Sequence, residues 1–179
     1  MLISTGATED AAWRRFAAAQ RPVTVAGRTA QVWSAIARGA RAESPLWAGA
    51  LRADGDRVEE PVFSPLGEER FALSVETIYE GYLAHYGRPR LFAPADRNTA
   101  LLLGDYLYAQ GLVHLAATGS VEAVAEMAEL ISLCAHLRAE EKPGDGEAWA
   151  STVAGLGSGG PEDPSAVPRA LATHRALVG

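Results

Sequence analysis

The chain has 179 residues, of which 48% are hydrophobic and 21% charged, and a formal net charge of -6. That length suits one domain with a real core, and the acidic balance offers no broad basic field for nucleic acid. A single cysteine, Cys134, excludes an internal disulfide framework and a thiolate metal cluster. Met1-Leu2-Ile3 runs straight into Ser4-Thr5-Gly6, with no leader pattern and no apolar run of about 18 residues, so a cytoplasmic chain without a membrane span is expected.

Alanine is abundant and apolar residues recur at helical spacing, so an all-α fold is predicted. After Thr8, a helix over Ala11 to Gln20 puts Trp13, Phe16 and Ala17 on one side. Pro22 ends it. A second helix is expected from about Arg28 to Arg41 on Val32, Trp33 and Ile36, and Pro45 opens a short piece to Leu51. Ala53-Asp54-Gly55-Asp56 reads as a turn, and the stretch to Pro65 as irregular.

Three longer helices follow. From about Leu66 to Tyr86, the residues Phe71, Val75, Ile78, Tyr79, Tyr82 and Tyr86 form an aromatic stripe suited to a core or helix interface. Gly87, Pro89 and Pro94 break the chain. The next helix, about Asp96 to Thr118, is apolar around nearly its whole circumference and is expected to be the central, most buried one. Ser120 caps a third, ending near Glu141, with Glu122, Glu126 and Glu129 facing water. Residues 1–142 therefore read as an antiparallel helical bundle. Residues 143–179 read as a glycine/proline-rich flexible connector, with a short terminal helix over Val167 to Val178.

The residue types that carry chemistry are dispersed. His85, His114, His136 and His174 fall on different elements without the His-x-x-x-His spacing of a zinc helix. Cys134 and His136 point to opposite sides of one helix, no Gly-x-Ser-x-Gly elbow follows a strand, and Gly155 to Gly160 lacks the strand and lysine of a phosphate loop. Arg88, Arg90 and Arg97 are the one concentration of positive charge near a loop. Their guanidiniums suit a phosphate or diphosphate, or else simply face solvent. Asp105, inside Leu101-Leu102-Leu103-Gly104-Asp105-Tyr106-Leu107-Tyr108-Ala109, needs a hydrogen-bond partner, a cavity or the surface. Gly104 beside it indicates a close helix crossing.

Leu103-Gly104-Asp105-Tyr106-Leu107-Tyr108-Ala109, followed by the Gly119-Ser120 break and the glutamate-rich helix, resembles the middle of the trans-isoprenyl (polyprenyl) diphosphate synthases over residues 66 to 141. The resemblance implies the all-α isoprenoid synthase fold, a dimer and an isoprenoid diphosphate ligand. It also implies substrate contacts at His85, Arg88, Arg90 and Asp105. Where the family carries an aspartate-rich, magnesium-binding motif after its histidine, this chain has Tyr86-Gly87-Arg88-Pro89-Arg90. No catalytic residue and no metal ligand is therefore assigned, and magnesium enters only if the chain is an enzyme. The pattern is similar to the short, motif-less subunit of heterodimeric family members. The expected function is a non-catalytic accessory subunit that shapes a larger partner's prenyl-chain pocket. The alternatives are an active truncated prenyltransferase and a stand-alone helical carrier of an apolar ligand.

Overall fold

The protein's structure, a computed structural model, describes residues 25–157, 161 and 163–179. The helix expected over Ala11 to Gln20 lies outside them. The described residues form an all-α antiparallel bundle: α1 Val25–Glu43, α2 Pro45–Ala50, α3 Ala72–Tyr86, α4 Arg97–Ala116, α5 Val121–Ala139, α6 Asp145–Gly155 and α7 Ala166–Val178. Three single 3-10 turns, Asp54–Asp56, Ser64–Leu66 and Glu69–Phe71, bridge α2 to α3. None of the helices over the described residues is long and apolar enough to cross a membrane.

Helix starts follow local chemistry. Ser44 Oγ accepts from Leu46 N at 3.0 Å, with Pro45 in the first turn of α2. Asp96 Oδ1 accepts from Thr99 N at 2.9 Å, and Ser120 Oγ from Ala123 N at 3.3 Å. Each side chain satisfies an amide that the helix itself leaves unpaired.

Two apolar clusters flank α3. One joins Trp33, Ile36 and Ala40 of α1 with Trp47, Leu91, Phe92, Leu103 and Leu107. The other joins Phe63, Val75, Ile78, Tyr79 and Tyr82 with Leu115, Met127, Leu130, Cys134, Trp149 and Val153. Between them every residue of α3 from Ser74 to Ala84 is buried. The most buried helix is thus α3 and not α4, contrary to the sequence expectation. Residues Leu102 and Val113 of α4 face outward, while the polar residues of α3 find partners inside.

Helices α3 and α4 run antiparallel at very close range, and glycine permits it. A Cβ on Gly111 would stand 2.3 Å from Ile78 Cγ1, and one on Gly81 2.9 Å from Gly104 O. The close crossing read from Gly104 is present, and His85 fills the space.

The stretch expected to be a connector contains α6, whose Trp149 and Val153 belong to the core. Gly146 lets α7 approach: a Cβ there would meet the His174 ring at 2.9 Å. Tertiary packing outweighs the weak helix propensity of this segment.

Candidate functional site

The residues singled out by sequence separate into three places. Near the end of α3, His85 Nε2 lies 3.2 Å from Asp105 Oδ1, and the His85 ring stacks on Tyr108 with centroids 5.1 Å apart. Gly104 makes the seat, because a Cβ there would strike the imidazole at 2.4 Å. Burial lowers the His85 pKa below its ordinary value, and the Asp105 carboxylate opposes that only in part. The neutral imidazole is therefore the resting form near neutral pH.

Arg88 and Arg90, expected to act together on an anion, are committed elsewhere. The Arg88 guanidinium donates to Ala176 O, and its amide donates to Leu177 O at 3.0 Å, docking the end of α7. Arg90 is 2% exposed. Its Nη1 lies 2.9 Å from Glu76 Oε2, and its Nε donates to Glu80 Oε2 at 3.1 Å. The guanidinium also lies over the rings of Trp33, at 4.6 Å, and Tyr79, at 5.0 Å. It therefore connects the two apolar clusters through paired charge and cation–π contact.

Glu76 and Glu80 were not singled out by the sequence reading. Glu76 Oε1 accepts from the amides of Val62 at 3.1 Å and Ser64 at 3.0 Å, and Glu80 Oε1 accepts from Leu91 N at 2.7 Å. Arg90 Nη1 donates onward to Glu60 O at 2.8 Å. Burial pushes the Glu80 carboxyl upward, while Arg90 and the Leu91 amide pull it down. Since both Glu80 oxygens accept from donors, the geometry is built for the ionised form. The signal was their i,i+4 spacing on a helix otherwise rich in apolar residues.

A third polar group ties the C-terminal helices to α3. Tyr82 Oη donates to Asp145 Oδ2 and accepts from Arg138 Nε at 2.9 Å, while Arg138 Nη2 reaches Asp145 at 2.5 Å. His174 Nδ1 lies 3.0 Å from Tyr79 Oη, and its Nε2 is 3.4 Å from Asp145. Hydrogen bonds from Tyr82 and the Arg138 charge keep the Asp145 pKa below its usual range against burial, whereas burial lowers that of His174. Cys134, behind this group, is pushed up to about 12 by burial and is an inert thiol.

Among the described residues no three His, Cys, Asp or Glu converge as a metal site, and at the end of α3 the Asp105 carboxylate is already faced by His85. Apolar side chains on α4 and α5 and a groove beside α1 are exposed among the described residues. Leu102 and Val113 on α4 are 57% and 60% exposed, and Val121 and Leu133 on α5 are 80% and 46% exposed. A groove of about 1030 Å³ lies between α1, the Pro61–Gly67 segment and the start of α3. No family model, curated protein or solved structure matches this chain.

Proposed function

We propose that this chain is a non-catalytic, prenyl-diphosphate-synthase-like accessory subunit. In this reading it docks on a larger synthase chain through α4 and α5 and shapes the partner's prenyl-chain pocket. The observation that carries the reading is the exposure of Leu102, Val113, Val121 and Leu133 on consecutive helices whose opposite sides are already satisfied by the core. Exposed apolar side chains on two adjoining helices are what an association surface would use. The polar groups fit the same reading. Ionising an allylic diphosphate requires metals fixed between carboxylates, whereas Glu76 and Glu80 hold Arg90 and Asp105 faces His85.

The deciding experiment supplies the pure chain with isopentenyl diphosphate, allylic diphosphates and magnesium, alone and with a motif-bearing prenyl diphosphate synthase subunit from the same cells. The expected result is no chain extension alone and an altered product length in the mixture. Sustained extension by the chain alone that disappears on Asp105→Asn overturns the proposal.

A further inference from the structure

Among the described residues, five charged side chains line the groove beside α1: Arg38, Glu69, Arg70, Glu76 and Asp163. Four of them are already answered. Glu76 pairs with Arg90 at 2.9 Å, Arg70 with Glu68 at 2.8 Å and Asp163 with Arg169 at 2.8 Å, and Glu69 has a partner of its own. Arg38 is exposed and makes no hydrogen bond, ion pair or ring contact among the described residues. The groove therefore presents one unanswered charge, a positive one. Gln31, Ala35 and Arg38 follow at steps of four and three, so they form one stripe along α1, and all three line the groove. About 10 Å of helix separates Gln31 from Arg38.

From this juxtaposition we infer that the groove is a binding site for an amphiphilic monoanion, an unbranched alkyl carboxylate of medium length. Its carboxylate sits at the Arg38 end, where both oxygens accept from the guanidinium fork. Its alkyl chain runs along Ala35 and Val32, against an apolar wall of Pro61, Pro65, Leu66 and Leu73. A volume of about 1030 Å³ is at the upper end of ordinary ligand pockets and admits a chain rather than a single small solute. Other head groups match less well. A neutral alcohol leaves Arg38 unanswered, and an alkylammonium sets like charge against it. A dianionic phosphate brings a second charge, for which the groove has no second free cation among the described residues. The site lies on α1 and the start of α3, apart from the exposed residues of α4 and α5, and does not depend on the accessory reading.

The test is isothermal titration calorimetry of the full-length chain near neutral pH, where an alkyl carboxylate is ionised. The ligands are decanoate, decanol, decyl phosphate and decyltrimethylammonium, each kept below its solubility limit and micelle concentration. Saturable binding of one decanoate per chain is expected. Decanol should bind at least about fivefold more weakly, because it forms no charge-assisted pair, decyl phosphate no more tightly than decanoate, and decyltrimethylammonium not at all. Arg38→Gln keeps an exposed polar side chain and should bring decanoate down to the affinity of decanol while leaving decanol unchanged. Ala35→Trp fills the groove from α1 and should abolish binding of both while circular dichroism stays unchanged. Equal affinity for decanoate and decanol, tighter binding of decyl phosphate, or decanoate affinity that Arg38→Gln does not alter overturns the inference. So does the absence of saturable decanoate binding to the unaltered chain.

Discussion

Replacing Arg90 by methionine keeps length and apolar bulk but removes the charge between Glu76 and Glu80. The side chain is 2% exposed and its two partners 1% and 0%, so water cannot take over the lost contacts. Breaking a buried ion pair from one side costs about 3–5 kcal/mol, and for a chain of this size each kcal/mol moves Tm by about 2–4 °C. Arg90→Met should therefore lower Tm by roughly 6–20 °C. The deficit should also depend on pH. Burial already raises the Glu80 pKa, and losing the guanidinium raises it further. A carboxyl whose folded pKa lies above its unfolded value opposes folding as pH rises through that range, so the variant's deficit should be larger at pH 8 than at pH 5. Urea unfolding at both pH values reads this directly. Adding Glu76→Gln and Glu80→Gln to Arg90→Met should recover part of the loss, because no buried charge is then left alone. A deficit below about 1 kcal/mol at pH 8, the range of a surface pair, would refute the reasoning.

Other expected outcomes follow from close contacts and from titration. Gly111→Ala should destabilise by about 1–3 kcal/mol, because its methyl group meets Ile78 at 2.3 Å, whereas Gly49→Ala in α2 has free space and should gain up to about 1 kcal/mol from helix propensity; thermal melts compare them. Burial lowers the pKa of His85, His114 and His174, so the unfolded chain binds more protons below about pH 6.5 and stability should fall as pH drops from 7 to 5. His174→Gln should flatten that slope, and an unchanged slope in urea titrations would count against burial of the neutral imidazole. Tyr82→Phe removes the hydroxyl shared by Asp145 and Arg138 and should cost about 1–3 kcal/mol in the same assay.

Local signals in the sequence located the helix starts at Pro45, Asp96 and Ser120, where a capping side chain acts within three residues of the amide it satisfies, whereas the helix expected from Leu66 begins at Ala72 after two 3-10 turns. Gly104 likewise pointed to a close crossing, because a helix-weakening residue inside an apolar run has few other physical reasons to be there. What could not be read was pairing across the fold. Glu76 and Glu80 look like a solvated side of α3 until the chain turns at Gly87 and brings Arg90 back between them. Asp105 comes to face His85 through the antiparallel register of α3 and α4, which neither segment carries alone. Residues 145–155 lie in the stretch read as a glycine/proline-rich connector, yet Trp149 and Val153 both reach the core, and Gly146 leaves room for the His174 ring.

The most direct test of the accessory role is the light-scattering mass of the 18.9 kDa chain mixed with a motif-bearing prenyl diphosphate synthase subunit from the same cells, beside its Leu102→Asp/Val113→Asp variant. Both substituted side chains are mostly exposed, so the variant should keep its Tm to within a few degrees. The expected result is a stoichiometric complex for the unaltered chain and separate components for the variant. A chain that stays unassociated in the mixture, or a complex that forms equally well with the variant, would contradict docking through α4 and α5.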